Sequence, residues 1–281
     1  MDFTSLGVPE PLAAALAARG ITEPTEIQRE VIPAACTGEN LIGEAPTGTG
    51  KTLAYLLPAL MRIDPAVRAA QVLVLAPTHE LAMQIAGAAR DLIQAAGLSV
   101  GVQALIGGAN VQRQIDALKK KPALIVGSAP RIVELHRLRK LKLQEVRLCV
   151  LDEFDRLLDK QHSAEVRAVL HLLPRERQML LLSATAAAAA VHAAEELCAL
   201  RIIRAAVQET TCENYYHIVP FRDKIKAVQK LTRRLPIRRG LVFVGRSFDA
   251  EKAAEKLQYE GIRVAALLGG ERCDQRRAAL N

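Results

Sequence analysis

Short apolar segments alternate with amphipathic ones along most of the 281-residue chain. Apolar runs that end at turn residues are typical of buried parallel strands, and they lie at 41–44, 71–76, 100–106, 123–126, 147–151 and 178–182. Apolar residues at helical spacing predict helices over 9–19, 26–36, 53–61, 80–95 and 186–199. This alternation predicts an α/β fold with a parallel sheet and helices on both faces.

The apolar pattern lapses around 206–214, which is therefore the best candidate for a linker. The chain beyond it is predicted to form a second, smaller α/β unit, with strands over 215–219, 241–244 and 264–267 and helices over 223–231 and 250–258. So few strand–helix units cannot cover both faces of a parallel sheet. We therefore expect one complete domain over 1–207 and an incomplete domain over 208–281.

A glycine-rich turn joins the strand at 41–44 to the helix at 53–61 and has the spacing of a phosphate-binding loop. It consists of Ala45, Pro46, Thr47, Gly48, Thr49, Gly50, Lys51 and Thr52. Its two glycines allow backbone N–H groups to point inward at the helix N-terminus, where a phosphate binds favourably. Lys51 is expected to reach the β- and γ-phosphates of ATP, and the Thr52 hydroxyl to ligate Mg²⁺. The alternative is a strand-to-helix turn without a ligand.

An acidic segment, Asp152-Glu153-Phe154-Asp155, follows the apolar strand at 147–151. A carboxylate in this position can hold the metal that bridges two phosphates, and we assign that role to Asp152. Glu153 is the candidate general base that polarises the attacking water. The strand at 178–182 ends in Ser183-Ala184-Thr185, whose hydroxyls can hydrogen-bond these carboxylates. With Lys51, the predicted catalytic residues are Asp152, Glu153, Asp155, Ser183 and Thr185. The alternative is a helix N-terminus that favours acidic residues.

Further polar groups are predicted at the same sheet edge. Gln28 precedes the phosphate loop, and its amide can read both the amino group and the ring nitrogen of adenine. The other candidates follow strands, where ligands bind in open α/β folds; they are Pro77, Thr78, His79, Glu80, Gly107, Gly108, Ser128 and Arg131. Thr78 could instead be a simple helix cap, and the two glycines a simple turn.

The net charge of +8 favours a polyanionic partner, and nucleic acid is the leading candidate. From Ala206 onward the chain has 15 basic and 9 acidic residues, so most of the excess lies in the last quarter. Aromatic residues make up only 3% and tryptophan is absent, which favours contacts to the backbone over base stacking. The five cysteines have no zinc-site spacing. No segment stays apolar long enough to span a bilayer, so we expect a soluble, cytoplasmic protein. We also expect a monomer.

Taken together, these segments resemble the DEAD-box RNA helicases over essentially the whole chain. The matching segments follow the family's order of motifs: Phe3 with 20–28 (the adenine-reading Q motif), 45–52 (motif I), 77–81 (motif Ia), Gly107-Gly108, 128–131 (motif Ib), 152–155 (the naming motif), 183–185 (motif III) and 242–247 (motif IV). The resemblance implies two RecA-like domains, ATP and Mg²⁺ as cofactors, and RNA as partner. It also implies that Ile21 lies beside adenine and that Arg246 and Arg276 contact RNA.

The chain departs from the family pattern at several positions. Ile21 stands where the family usually has an aromatic residue, His79 where it has an arginine, and Phe154 where it has alanine. Ala129-Pro130 replaces Pro-Gly, and around 273–276 only Arg276 matches. The substitutions at 79 and 129–130 affect expected RNA affinity more than expected hydrolysis.

The family's motifs V and VI lie beyond Asn281. An arginine supplied across the cleft is worth about 10³ to 10⁵ in the rate of related phosphoryl transfers, so this chain is expected to bind nucleotide but to hydrolyse it slowly. Two alternatives stay open: a non-hydrolysing RNA-binding scaffold, and a DNA-directed or unrelated phosphate-loop ATPase.

Overall fold

The structure is a computed structural model, and it describes residues 2–205, 213, 215–237, 239–245 and 247–268. The chain divides into two compact units, Met1–Gln208 and Glu209–Asn281.

The first unit is built on a seven-stranded sheet in which every recorded strand pair is parallel. The strands are β1 (Leu41–Glu44), β2 (Val72–Leu75), β3 (Val102–Leu105), β4 (Leu124–Gly127), β5 (Leu148–Asp152), β6 (Gln178–Ser183) and β7 (Arg201–Arg204). Their order across the sheet is β3-β4-β2-β5-β6-β1-β7. The predicted α/β fold with a parallel sheet is confirmed.

Helices cover both faces of this sheet. In chain order they are α1 (Glu10–Ala17), α2 (Glu26–Cys36), α3 (Lys51–Arg62), α4 (His79–Ala95), α5 (Val111–Leu118), α6 (Ala129–Arg137), α7 (Phe154–Leu157), α8 (Ser163–Leu172) and α9 (Ala188–Glu195). One apolar core lies between the sheet and α1 to α4, and the other between the sheet and α6 to α9. Since the central strands are apolar on both faces, both cores use the same strands, as in other parallel sheets.

The sequence pattern predicted neither the edge strand β7 nor the bounds of the helices α5 to α8. Strand β7 has the sequence Arg-Ile-Ile-Arg and is mostly exposed or half-buried, because only β1 pairs with it. A short strand with charged ends lacks the apolar run that identifies the central strands.

The second unit differs from the prediction. It contains helices α10 (Lys224–Arg234) and α11 (Ser247–Tyr259), close to those predicted, and a 3-10 turn over Phe221–Asp223. Within its described residues, however, the segments 215–219, 241–244 and 264–267 do not form the predicted strands. Most side chains in these segments are exposed, for example Phe243 (91%) and Ile218 (88%). An apolar run predicts a tendency to be buried, but a strand also requires a hydrogen-bonded neighbour.

Within the described part of the chain, no helix is long and apolar enough to cross a membrane.

Candidate functional site

Three neighbouring strands bring the predicted nucleotide-binding residues to one edge of the sheet. Strands β5, β6 and β1 are adjacent, and all run in the same direction. The register pairs Glu44 with Ser183 and Asp152 with Leu182. The phosphate loop, the acidic segment and the Ser183–Thr185 turn therefore leave the sheet side by side, as the sequence predicts for parallel strands.

The phosphate loop curls at its two glycines. Gly48 and Gly50 have φ values of 81° and 89°, in the left-handed region that glycine adopts without strain. The loop is held to the neighbouring strand by a 3.1 Å hydrogen bond from Ala45 N to Ser183 O. Within the loop, Thr49 Oγ1 donates to Pro46 O at 2.7 Å. The two left-handed glycines thus allow the tight turn that a phosphate cradle requires.

Lys51 begins helix α3 and its side chain folds back over the loop. Its Nζ atom donates to the carbonyl oxygens of Ala45 (2.5 Å) and Pro46 (2.9 Å). Burial lowers the pKa of Lys51, and the carboxylates of the acidic segment oppose this shift. The ammonium group therefore lies against the start of the loop, close enough to the acidic segment to interact with its charges.

Gln28 contacts the phosphate loop directly. Its side chain is buried, accepts a hydrogen bond from Thr25 N (3.0 Å) and donates one to Gly50 O (3.0 Å). The first bond is half of a capping box that starts α2. A Cβ atom at Gly50 would collide with Gln28 Nε2, so a side chain there would displace the Gln28 amide. Ile21 is half-buried and packs against the apolar core. Adenine reading by Gln28 and Ile21 stays a prediction.

Asp152 is buried at the end of β5, and both of its carboxylate oxygens accept hydrogen bonds. Oδ2 accepts from the Tyr55 hydroxyl at 2.8 Å, and Oδ1 accepts from Glu153 N at 3.0 Å. Burial raises the pKa of Asp152, while the bonds from Tyr55 and from the backbone oppose this. The pKa of Tyr55 lies well above 10, because of burial and the charge of Asp152. The carboxylate is therefore held in a fixed orientation.

Tyr55 is a functional candidate that the sequence analysis missed. It lies one helical turn after Thr52 on α3, is fully buried, and has a polar atom within an otherwise apolar run. A buried tyrosine hydroxyl usually has a hydrogen-bond partner. The sequence therefore indicates that the Tyr55 hydroxyl has a hydrogen-bond partner, but it does not identify that partner.

The remaining catalytic candidates are linked to one another. The Thr185 hydroxyl donates to Asp155 Oδ2 at 2.7 Å, and Thr185 N donates to Ser183 Oγ at 3.3 Å. The Glu153 carboxylate forms a 2.9 Å ion pair with Arg156. Of the two predicted hydroxyl-to-carboxylate bonds, the structure contains the one from Thr185, while the Ser183 hydroxyl accepts from the backbone.

Glu153 has an unusual backbone conformation, with a φ of 55°. Left-handed backbone is uncommon for residues with a Cβ and indicates a position of possible functional importance.

Glu44 is another residue that the sequence analysis did not single out. It connects β1 to its neighbours: Oε1 accepts a hydrogen bond from Ala186 N (3.0 Å), and Oε2 accepts one from Arg204 Nε (2.9 Å).

A magnesium ion fits this donor set only together with phosphate. Within the described residues, no cluster of three or more His, Cys, Asp or Glu side chains could hold a metal by itself. Mg²⁺ is commonly bound by one or two carboxylates with substrate phosphates and water. Asp152 and the Thr52 hydroxyl, beside a phosphate cradle, match that pattern.

The predicted RNA-binding residues form a second group on the other side of β5. Thr78 accepts a 3.2 Å hydrogen bond from Leu81 N, so it caps α4, as the simpler interpretation proposed. Pro77 and Glu80 lie beside it, half-buried. A Cβ atom at Gly107 would lie 3.2 Å from His79 Nε2. The 77–80 turn and the Gly107-Gly108 turn are therefore in contact through His79.

The Arg131 side chain is less accessible to RNA than the sequence suggested. Its side chain is 7% exposed, and both terminal nitrogens face Ala109 O at 3.5 Å. Its Nε atom lies 2.9 Å from Glu134 Oε2, without hydrogen-bond alignment. Arg131 thus supports the turn after Gly108, and Ser128, at the start of α6, makes no side-chain capping bond. Arg246 and Arg276 lie outside the described residues.

A family model for DEAD/DEAH box helicases matches residues 25–193, more than half of the chain. That range contains the phosphate loop, the acidic segment and the Ser183–Thr185 turn. The chain belongs to the DEAD/DEAH box helicase family. The resemblance seen in the sequence is thereby confirmed, as is the prediction that the chain is an enzyme of the helicase class.

Several curated helicases are similar along most of the chain. The DEAD-box ATP-dependent RNA helicase CshC of Bacillus cereus is 39% identical over 265 residues, which are 93% of this chain and 67% of that protein. The probable ATP-dependent RNA helicase YfmL of Bacillus subtilis is 39% identical over 254 residues, 89% of this chain and 67% of that protein. The chain therefore spans about two thirds of the length of these relatives.

Solved helicase structures share the fold. S. cerevisiae Dbp5 bound to RNA and ADP BeF3 is 25% identical, with a TM-score of 0.86 over 99% of this chain and 72% of that one. A DEAD box protein from Methanococcus jannaschii is 27% identical, with a TM-score of 0.69 over 100% of this chain and 76% of that one. The RecA-like fold of this DEAD-box chain is confirmed by these similarities.

Proposed function

We propose that the chain is an ATP-dependent RNA helicase of the DEAD-box type, which binds ATP with Mg²⁺ and the backbone of a single RNA strand. The observation that carries this proposal is the meeting of Lys51, Asp152 and the Thr185–Asp155 bond at the end of three adjacent strands. The relatives CshC and YfmL bear the names of ATP-dependent RNA helicases, and the Dbp5 structure contains RNA and a nucleotide analogue.

In the nucleotide site, the N–H groups of the loop 45–52 would cradle the phosphates, and Lys51 would exchange its loop carbonyls for phosphate oxygens. Asp152 and Thr52 would hold the metal, which when bound neutralises charge that develops on the phosphates. Glu153 would orient the attacking water and accept its proton. Gln28, which is bonded to Gly50 O, would connect adenine recognition to the shape of the loop.

In the nucleic-acid site, the predicted residues at 77–80, 107–108, 128 and 131 would contact the RNA backbone, together with Arg246 and Arg276. His79 and the exposed backbone of the two glycines are the groups best placed to do so, whereas Arg131 would act by supporting their turn. Closure of the protein on ATP and one RNA strand would favour a strand geometry that a duplex cannot adopt, and so separate the strands.

Two binding measurements test this proposal. A fluorescent ATP analogue should bind the wild-type chain more tightly with Mg²⁺ than without it, and Lys51→Ala should weaken this binding. Single-stranded RNA should bind more tightly with a non-hydrolysable ATP analogue than with ADP. RNA binding that ignores the nucleotide would favour the non-hydrolysing scaffold, and equal binding of matched DNA would favour a DNA-directed ATPase.

We further propose that the 281-residue polypeptide turns ATP over slowly although it binds it. Support comes from its length, about two thirds of that of the relatives. RNA-stimulated turnover equal to that of a full-length relative, measured side by side, would overturn this point. We also propose that it is a cytoplasmic monomer, for which size-exclusion chromatography tests the oligomeric state.

A further inference from the structure

The outward face of helix α10 carries only basic residues. The helix has the sequence KIKAVQKLTRR, with five basic residues and no acidic one. Its partly buried side includes Ile225 and Val228, whereas Lys226, Lys230 and Arg234 are exposed on the opposite side. Residues at i, i+4 and i+8 lie one above another on a helix. We name these three residues the α10 stripe.

The stability of the helix explains Arg234, whose charge in the last turn suits the helix dipole, but it does not explain the lysines. Cations in a first helical turn interact unfavourably with the helix dipole, and α10 has Lys224 and Lys226 there with no acidic residue. Like charges at i and i+4, such as Lys226 with Lys230 and Lys230 with Arg234, also destabilise an isolated helix. A face that served only solubility would be expected to mix charges of both signs.

The described residues also do not neutralise the stripe. Neighbouring arginines have acidic partners: Arg222 lies 3.8 Å from Asp223, and Arg233 lies 3.8 Å from Glu260. Within the described part of the chain, none of the three stripe residues forms an ion pair. Among the described residues, the stripe therefore presents three positive charges in a row without an acidic partner, in the quarter of the sequence that holds most of the basic excess.

The spacing of the stripe suits a nucleic-acid backbone. Four residues of α-helix rise about 6 Å, which is comparable to the separation of neighbouring phosphates along a strand. Lysine is a flexible point charge that binds a phosphate without geometric demands. Such contacts give affinity without sequence preference and make binding dependent on salt.

We propose that the α10 stripe is an additional contact surface for the RNA backbone, separate from the motif residues assigned above. This inference rests on the proposed RNA-helicase function. The stripe would add electrostatic affinity for single-stranded RNA and take no part in nucleotide binding, since it belongs to neither group of residues described above.

The test removes the three charges together, in the variant Lys226→Gln/Lys230→Gln/Arg234→Gln. Glutamine has a helix propensity similar to that of lysine and arginine, so α10 should be kept. The matched control is Lys120→Gln/Lys140→Gln/Lys142→Gln, which removes the same charge from exposed positions that precede strands β4 and β5. Circular dichroism compares the helix content of the three proteins.

The measurement is the dissociation constant of a single-stranded oligonucleotide of RNA, with a non-hydrolysable ATP analogue present, over a series of salt concentrations. Each lost phosphate contact should reduce the slope of log K against log salt by about 0.7. The stripe variant should therefore lose about 2 from the slope and bind roughly tenfold or more weakly at low salt, while the control keeps its slope. Binding of a fluorescent ATP analogue should be equal in all three.

If the stripe variant has the same slope of log K against log salt as the wild type, the inference is overturned. Binding of an acidic protein by the stripe would not rescue it. A control that loses as much slope as the stripe variant also overturns it, because the effect would then be one of net charge. If the triple variant does not fold, Lys230→Gln alone should reduce the slope by about 0.7. Wild-type chain that binds nucleotide but no RNA would overturn the proposed function itself.

Discussion

The Tyr55 hydroxyl donates a 2.8 Å hydrogen bond to Asp152 Oδ2, in a space closed to solvent between α3 and β5. Helix α3 begins at the phosphate loop, and Asp152 is the carboxylate assigned to the metal. One bond thus connects the two halves of the nucleotide site across 97 positions of sequence. Groups that orient a metal-binding carboxylate are typically worth 10- to 100-fold in metal affinity.

Tyr55→Phe removes this donor and keeps the ring. We expect Mg²⁺-dependent binding of a fluorescent ATP analogue to weaken by about tenfold, with little change in the metal-free binding. Because Asp152 Oδ2 is then left buried without a partner, the free energy of unfolding should fall by about 1–3 kcal/mol in urea titrations. Tyr259→Phe, at a 92% exposed position, is the control. Unchanged Mg²⁺ dependence would show that the bond does not position Asp152.

Asp152→Asn should affect the free energy of unfolding and the binding of nucleotide with Mg²⁺ in opposite directions. The folded-state pKa of Asp152 is raised by burial, so its ionised form destabilises the folded chain relative to the unfolded one. For a raised carboxyl pKa, the protonated form stabilises the fold at low pH, and that contribution is lost as pH rises through the folded pKa.

The asparagine variant should therefore gain free energy of unfolding relative to wild type as the pH rises from about 4, and should lose Mg²⁺-dependent nucleotide binding. Urea titrations at several pH values, without nucleotide, measure the first effect. A difference between the two proteins that does not change with pH would contradict it.

Gly50→Ala tests the contact between Gln28 and the phosphate loop. The new methyl group would collide with the Gln28 amide, in addition to the strain of a left-handed alanine. Gly97→Ala is a matched control, because Gly97 also has a positive φ of 65°, has no atom within 4 Å of the added Cβ and lies outside the phosphate loop. Both variants should lose about 1 kcal/mol of stability from backbone strain, and Gly50→Ala should bind nucleotide several-fold more weakly. Equal affinities would mean that Gln28 does not shape the loop.

The convergence at the nucleotide site was predictable because it follows from topology alone. Apolar runs before Ala45, Asp152 and Ser183 identify central parallel strands, and such strands deliver their following residues to one sheet edge. The Tyr55–Asp152 bond was not predictable, since a helical pattern marks Tyr55 as buried without saying what lies opposite. The actual position of Arg131 likewise depends on the turn at Ala109, which no local pattern reveals.

The second unit shows the limit of apolar patterns. The run at 241–244 is as apolar as that of β2, yet it does not form a strand in the described structure, and Phe243 is almost fully exposed. A strand requires hydrogen-bonded neighbours, which sequence pattern cannot provide. The opposite error occurs at β7, where pairing with β1 makes a strand of a segment that begins and ends in arginine.

His79→Arg tests whether the turn at the start of α4 faces RNA phosphate. His79 lies against Gly107, where the backbone of the two predicted RNA-binding turns comes together. An arginine there would add a permanent charge and a planar donor group that suits phosphate. We expect RNA to bind several-fold more tightly, and the slope of log K against log salt to steepen by about 0.7. The control, His192→Arg, places the same charge at a 77% exposed position on α9 and should leave the slope unchanged. Equal slopes in both variants would place the RNA backbone away from His79, and would leave the Gly107-Gly108 turn as a structural feature only.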